Sequence, residues 1–368
     1  MEPRRILIVD DSALMRRLVS KALEGQADLV VVGTAADGVA ALDAIERHRP
    51  DLVTLDVEMP QMDGLTALTH IRLRWPRLPV IMCSTLTARG AEVTLDALAK
   101  GASDYVAKPN SATGLDANLK AFGDELTRKL RALLHLRGPV KPDIAAARTV
   151  QPAAAPIAPP QSSRCGSHPV RLLAIGSSTG GPNALAEVLR HLPANLPVPV
   201  VIAQHMPPVF TKLLAERLDG ICKLPVREGS EGVELLPGTV WLAPGDHHML
   251  IASRNGRPAL HLDQSPPVNF CRPAVDPLLQ SAIELYGGDV LAVILTGMGR
   301  DGQQGCRQLY AAGASVYAQD EATSVVWGMP GAVVQAGVAQ RVLPLADIGP
   351  AIAARLTSPV AGGMRHAG

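Results

Sequence analysis

The segment 138–169 constrains the fold most, because it holds seven prolines among alanines and shows no amphipathic period. Proline lacks a backbone N–H donor and disfavours helix interiors and central strands, so such a segment is typical of an extended linker. It leaves residues 1–137 and 170–358 as two pieces, each long enough to bury its own core. We therefore predict two domains joined by this linker, followed by a tail over 359–368.

The first piece alternates short β-rich apolar runs with helical patterns, which is typical of βαβ units and a parallel sheet. The predicted strands are 6–9, 29–34, 52–55, 80–83 and 104–107. Five such strands, each followed by a helix, favour an open doubly wound α/β sheet with a core over about 4–125 and an extended last helix.

The second piece shows the same alternation with longer aliphatic runs. Residues 170–175, 198–203 and 290–295 are almost continuously apolar, as expected for parallel strands covered on both faces. We expect the run at 290–295 to be the last core strand. Between the second and third runs, residues 222–262 are rich in Gly, Pro and short β runs, which predicts a small antiparallel insertion. The predicted fold class is therefore α/β in both domains, and the second domain, like the first, is expected to be a doubly wound parallel sheet.

Charge and leader patterns exclude several classes of protein. The formal net charge is +1, which provides no field for recruiting nucleic acid or an anionic membrane. No basic stripe or helix-turn-helix pattern follows the linker. The apolar run before Asp10 is too short for a signal peptide, and the longest charge-poor stretch, 322–340, is broken by Gly and Pro. We expect a cytoplasmic protein with no nucleic-acid partner and no direct membrane insertion.

Three acids follow strands of the first domain. Asp10 and Asp11 come directly after the first predicted strand, and Asp56 comes directly after the third. Because the carboxyl ends of such strands converge on one crevice, we expect the three side chains to meet there. Clustered carboxylates repel one another unless a cation neutralises them, and oxygen-only ligands favour Mg²⁺. The sequence therefore predicts a magnesium site.

A hydroxyl and an ammonium end the two following strands at the same edge. Ser84 ends the fourth predicted strand, and Lys108 follows the fifth. Together with the acids, they form a set suited to hold a phosphoryl group on one carboxylate. The turn after Asp56 ends at Gly64, where we expect a backbone conformation that other residues resist.

This set resembles the receiver domain of two-component response regulators. The resemblance implies that Asp56 accepts a phosphoryl group from a histidine kinase, while the two acids after the first strand help it to hold Mg²⁺. It also implies that Ser84 and Lys108 contact the phosphoryl oxygens. Tyr105, three residues before Lys108, matches the aromatic residue that rotates on activation in this family.

A Gly-Ser-Ser-Thr-Gly turn follows the first strand of the second domain. A Gly-x-Ser-x-Gly turn between a strand and a helix lifts its central serine, here Ser178, toward backbone donors at the helix amino end. Similar turns bind nucleotide phosphates, but no Gly-Lys-Ser/Thr follows here, so a nucleotide site is the weaker interpretation. The adjacent Ser177 offers a second hydroxyl, and alternation along the chain directs only one of the two into the crevice.

A histidine and an aspartate follow two other strands of this domain. His205 comes after the second strand, where its imidazole can act as the general base for Ser178. Asp301 comes after the run at 290–295 and can orient His205 and stabilise its charged form. The chain order Ser, His, Asp differs from the order Ser, Asp, His of the α/β-hydrolase fold, but triads are recognised by geometry rather than order.

Other polar residues have a simpler interpretation. His247 and His248 are adjacent, so in a strand they point to opposite faces, and no third ligand stands at metal-binding spacing. Arg272 and Asp276 lie in a proline-bounded turn, where Asp276 either caps a helix or contacts substrate.

These motifs resemble the protein-glutamate methylesterase family of bacterial chemotaxis over essentially the whole chain. The matching segments are 178–181, 204–206, 271–276 and 296–302. The resemblance implies Ser178 as nucleophile, His205 as base and Asp301 as orienter. Thr179, Gly180 and Met298 would lie in the oxyanion and substrate region. Ser177 departs from the alanine that is usual in the family.

The resemblance implies hydrolysis of γ-glutamyl methyl esters on methylated chemoreceptors, deamidation of selected receptor glutamines, and control by the receiver. The hydrolase chemistry needs no cofactor. The alternative is a binding module, in which the receiver drives a non-catalytic output that docks on a partner or a nucleotide. Covalent labelling of Ser178 by a fluorophosphonate distinguishes the two hypotheses.

Overall fold

The structure is a computed structural model that describes residues 2–109, 115–135 and 169–357. The predicted tail, and the predicted linker apart from Pro169, lie outside the described residues. Among the described residues, no helix combines the length and the apolar character needed to cross a bilayer.

The first domain is a five-stranded sheet in the order β2-β1-β3-β4-β5, and all of its strand pairs are parallel. Its strands are β1 Arg4–Val9, β2 Leu29–Ala35, β3 Leu52–Asp56, β4 Val80–Ser84 and β5 Asp104–Ala107. Its helices are α1 Ala13–Leu23, α2 Gly38–His48, α3 Gly64–Arg74, α4 Ala88–Ala99 and α5 Leu115–Leu133. The predicted doubly wound fold is confirmed.

Side-chain caps explain where the first four helices begin. Ser12, Asp37, Asp63 and Thr87 each accept a hydrogen bond from the backbone N–H three residues ahead. Such a cap satisfies one of the N–H groups that has no partner within the helix. The caps place these four helix starts after the carboxyl ends of strands, and therefore at the edge where the acids lie.

The second domain contains a seven-stranded sheet in the order β14-β13-β12-β6-β7-β9-β8, in which all strand pairs are parallel. Its strands are β6 Leu172–Ser177, β7 Val200–Gln204, β8 Val226–Glu228, β9 Val240–Leu242, β12 Val290–Ile294, β13 Ser315–Gln319 and β14 Arg341–Leu343. The strands β10 His248–Arg254 and β11 Arg257–Asp263 form a separate antiparallel hairpin. The helices are α6 Gly181–Arg190, α7 Phe210–Asp219, α8 Val275–Tyr286, α9 Gln303–Ala311, α10 Met329–Gln335 and α11 Leu345–Thr357.

Two details of the predicted second domain are wrong. The strand β12 is not the last core strand, because β13 and β14 extend the sheet beyond it. The predicted insertion at 222–262 is antiparallel only in the hairpin β10–β11, whereas β8 and β9 join the main sheet in parallel. Both errors have one physical cause: the position of a short strand in a sheet depends on hydrogen bonds to distant strands, which local pattern does not reveal.

The two domains are in direct contact. Helix α4 of the receiver packs against α6 and α7 of the second domain. Arg217 donates a 2.8 Å hydrogen bond to Asp96, and the Asn183 side chain donates a 2.7 Å hydrogen bond to the Leu98 carbonyl oxygen. Buried apolar side chains of the two domains form one continuous cluster. The receiver is thus placed against the face of the second domain on which the serine turn lies.

Candidate active site

The receiver acids meet as predicted. Ligand oxygens of Asp10, Asp11 and Asp56 all lie within 4.8 Å of one another. Lys108 Nζ lies 2.8 Å from Asp10 Oδ2 and 2.7 Å from Asp56 Oδ1, which ties the two buried acids to the end of β5. Burial raises the pKa of Asp56 to about 6, although the Lys108 ammonium opposes this change.

Ser84 and Gly64 have surroundings that the sequence did not reveal. The Ser84 hydroxyl donates a 3.0 Å hydrogen bond to the Gly90 carbonyl oxygen of α4 rather than one to Asp56. The backbone conformation predicted for Gly64, one that other residues resist, is wrong. Its φ is not positive, and the residue of this turn with a positive φ is Gln61. A Cβ at position 64 would lie 1.9 Å from the Asp56 carbonyl oxygen, so close backbone approach requires the glycine.

The serine turn joins β6 to α6. Gly180 has a φ of +77°, which favours glycine, and α6 begins at the next residue. The Ser177 hydroxyl is fully buried and donates a 2.7 Å hydrogen bond to Gln204 Oε1. Ser178 is only half-buried. Of the two adjacent hydroxyls, Ser178 is therefore the one that substrate can reach.

His205 and Asp301 form the predicted pair, with Nε2 and Oδ2 2.8 Å apart. Both oxygens of Asp301 also accept hydrogen bonds from backbone or amide N–H groups, namely those of Asn269, Val275, Asp276 and Gly302. Burial raises the pKa of Asp301, but the hydrogen bonds and the charge of His205 outweigh it and hold the pKa below its usual value. Asp301 thus also caps α8, a role that sequence reasoning missed.

Ser178 and His205 are not joined by a hydrogen bond. The Ser178 hydroxyl makes none with any described residue, and His205 Nδ1 lies 3.3 Å from the sulfur of Cys271. Burial lowers the pKa of His205, but Cys271 and Asp301 together more than offset this and raise it to about 10. The imidazole is therefore held by Asp301 on one side and by Cys271 on the other.

The receiver covers much of the predicted oxyanion and substrate region. The Thr179 hydroxyl donates a 2.6 Å hydrogen bond to Asp104 Oδ2 of β5. Met298 packs against a buried cluster in which receiver side chains, including Phe122, are joined by Val326 of the second domain. Tyr105 stacks on Phe210 of α7, with ring centroids 4.7 Å apart and ring planes 8° apart. Receiver residues therefore lie directly beside the serine turn.

The remaining polar residues have structural partners. His248 is buried with Nε2 3.2 Å from the Pro266 carbonyl oxygen, and Arg272 forms a 2.5 Å ion pair with Asp246. Asp276 accepts a 2.8 Å hydrogen bond from the Gly305 N–H. Within the described ranges, the receiver acids are the one group of three side chains arranged to hold a metal ion.

Fold and site together define a class of protein: a receiver domain packed on an α/β domain that carries Ser, His and Asp at the carboxyl edge of its sheet. Residues 6–120 match the response regulator receiver domain model, and residues 173–352 match the CheB methylesterase model. The chain belongs to the CheB methylesterase family, with an N-terminal receiver.

Two relatives are named protein-glutamate methylesterase/protein-glutamine glutaminase. One, from Nocardioides sp., is 49% identical over 96% of this chain and 95% of its own length. Another, from Caulobacter vibrioides, is 48% identical over 96% of this chain and 99% of its own length. A solved Thermotoga maritima CheB methylesterase catalytic domain is 46% identical, covers 50% of this chain and 97% of its own, and has a TM-score of 0.49.

Proposed function

We propose that this chain removes methyl groups from γ-glutamyl methyl esters of chemoreceptors in the cytoplasm, deamidates selected receptor glutamines, and is controlled by phosphorylation. The names of its relatives support the activity. The observation that carries the proposal is the hydrogen-bonded pair of His205 and Asp301 at the sheet edge where the half-buried Ser178 lies in the turn between β6 and α6. We assign the receiver to residues 1–137 and the hydrolase to 170–358.

Ser178 acts as the nucleophile toward the ester carbonyl. His205 must first leave Cys271, because Nδ1 is the ring nitrogen not bonded to Asp301 and has to accept the Ser178 proton. The developing oxyanion is stabilised by the backbone N–H groups of Thr179 and Gly180, each worth on the order of 10² to 10³ in rate. His205 then gives this proton to the departing methoxide oxygen, which leaves as methanol, or to the amide nitrogen of a glutamine, which leaves as ammonia. Water then cleaves the acyl-enzyme. None of these steps draws on a cofactor.

The receiver supplies the switch. Asp56 accepts a phosphoryl group from a histidine kinase, and Asp10, Asp11 and Asp56 would hold Mg²⁺ there. Their clustered oxygens fit this cation, which when bound neutralises charge on the carboxylates and on the phosphoryl group. Lys108, already within 2.7 Å of Asp56, pairs with a phosphoryl oxygen.

Control follows from the contact between the domains. In the unphosphorylated chain, Asp104 and Tyr105 engage Thr179 and Phe210, and this contact obstructs the approach of a receptor to Ser178. Phosphorylation draws Ser84 and Tyr105 toward Asp56 and weakens that contact. Moving the population from mostly closed to mostly open needs a differential interaction of a few kcal/mol, which new phosphoryl contacts can supply.

The test is the release of radiolabelled methanol from methylated receptor membranes. Native chain activated with acetyl phosphate and Mg²⁺ should release methanol, and Ser178→Ala should abolish release. Ser177→Ala is the matched control, because Ser177 is buried and bonded to Gln204, and it should keep most of the activity. Absence of release by the native chain would reject the enzyme, and failure of a fluorophosphonate to label Ser178 would favour a binding module.

A further inference from the structure

A tight turn lies beside the catalytic pair. Val268 and Cys271 exchange two backbone hydrogen bonds, of 3.1 and 2.9 Å. Between them, Asn269 has a φ of +52° and Phe270 a φ of +65°. Two central residues with positive φ define a type I′ turn, which favours Asn-Gly.

Phenylalanine is an unusual residue at the second central position of this turn. A bulky side chain at positive φ is a conformational outlier, and it is strained relative to glycine. Burial does not offset that strain, since the Phe270 side chain is 86% exposed, the highest value among the large apolar residues in the described part of the chain. The aromatic ring therefore stands in a strained turn and contributes little to the core.

The turn holds this ring at the catalytic pair. The side chain of Asn269 donates a 2.9 Å hydrogen bond to Asp301, and the sulfur of Cys271 lies 3.3 Å from His205. Both chain neighbours of Phe270 are thus anchored on the residues that act on the ester. The backbone that carries this exposed aromatic ring is thus fixed at both sides, and the ring lies next to the place where the substrate side chain must enter.

We propose that Phe270 is a docking residue for the receptor, and that its ring packs on apolar side chains of the receptor next to the target glutamyl ester. The inference rests on the proposed function, in which the substrate is a side chain of a folded protein. Such a substrate needs contacts beyond its ester, and rigid aromatic side chains are frequent anchors of protein interfaces. The receiver also reaches this ring, because the Arg128 guanidinium lies 6.0 Å from its centroid. Opening of the domains removes Arg128 and leaves the ring free for the receptor.

The experiment compares two substrates of the full chain activated with acetyl phosphate and Mg²⁺. One is methylated receptor in membranes, and the other is N-acetylglutamate γ-methyl ester, which is too small to reach beyond the catalytic residues. For Phe270→Ala and Phe270→Gly we expect KM for the receptor to rise about tenfold. This change corresponds to a loss of about 1.4 kcal/mol of binding free energy. The rate on the small ester should stay unchanged, and Phe270→Leu should recover most of the receptor KM.

Phe270→Gly also controls for folding, since glycine suits the turn and its Tm should equal or exceed that of the native chain. Leu236→Ala is the matched surface control. Leu236 is 51% exposed and lies near Gly238, which bonds to Val198 at the opposite, amino edge of the sheet. An unchanged receptor KM, or an equal loss on both substrates, would overturn the docking role. If the native chain hydrolyses the small ester but not the receptor, the proposed receptor substrate is rejected and the docking role is rejected with it.

Discussion

The Thr179 hydroxyl of the hydrolase domain donates a 2.6 Å hydrogen bond to the Asp104 carboxylate of the receiver. Thr179 directly follows Ser178, and Asp104 directly precedes Tyr105 on β5. Tyr105 in turn stacks on Phe210 of the hydrolase. The strand that carries Tyr105, the proposed aromatic switch, is therefore bonded to the residue next to Ser178, the proposed nucleophile. A shift of this strand would move Thr179 as well.

Asp104→Asn should raise the basal activity of the unphosphorylated chain several-fold. Hydrogen bonds to charged groups contribute about 1.5 to 3 kcal/mol, and the amide weakens both the bond to Thr179 and the ion pair with Lys129. Methanol release without acetyl phosphate measures the effect. Asp28→Asn is the control, because Asp28 pairs with Arg131 within the receiver and should leave basal activity at the native level. Equal activities of the two variants would show that this bond does not hold the closed state.

Acetyl phosphate with Mg²⁺ should activate the full chain, and Asp56→Asn should erase that response while basal activity persists. The asparagine cannot accept the phosphoryl group, so the contact of Tyr105 with Phe210 is not released.

A fragment that starts near Val170 should exceed the unphosphorylated full chain in methanol release, because nothing covers Thr179. If fragment and full chain were equally active, obstruction by the receiver would be refuted and the receiver would serve in docking or localisation.

Asp301→Asn should lower turnover by about 10⁴, as found when the aspartate of a triad is amidated. It should also lower Tm, since an amide NH₂ replaces one of two oxygens that accept N–H groups, including that of Val275. Circular dichroism below the new Tm checks that the fold persists during the assay. A loss of turnover below about tenfold would make Asp301 a structural cap of α8 and assign the orienting role to another acid.

Activity of the unphosphorylated chain should rise with pH toward about 10, because His205 is a base only when neutral and its pKa is raised to about 10. Cys271→Ala removes one cause of that rise and should move the midpoint of the pH–rate profile to lower pH. The raised pKa of His205 also increases the free energy of unfolding. This increase is fully present below a pH of about 6.5 and is lost as the pH rises through about 10. A profile that is identical in the variant would show that Cys271 does not act on His205.

The sequence by itself determined the domain order, the doubly wound class of both sheets and the residues at most strand ends. The strand pattern placed Asp10, Asp56 and Lys108 at one crevice and His205 and Asp301 at another. This follows because parallel strands in such a sheet present their carboxyl ends at one edge. The structure bears out both groupings. These residues are predictable because their positions follow from the local period of strand and helix.

Only the tertiary structure decided how the two sites are joined and which side chains surround His205. The bond between Thr179 and Asp104 links residues 75 positions apart, and the contact of Cys271 with His205 links residues 66 apart. Neither belongs to a motif with a local period. The ion-pair and packing partners at the domain interface likewise come from helices and strands of different domains. Such contacts depend on how complete domains pack against each other. Hydrophobic periodicity along the chain predicts local structure and does not predict that packing.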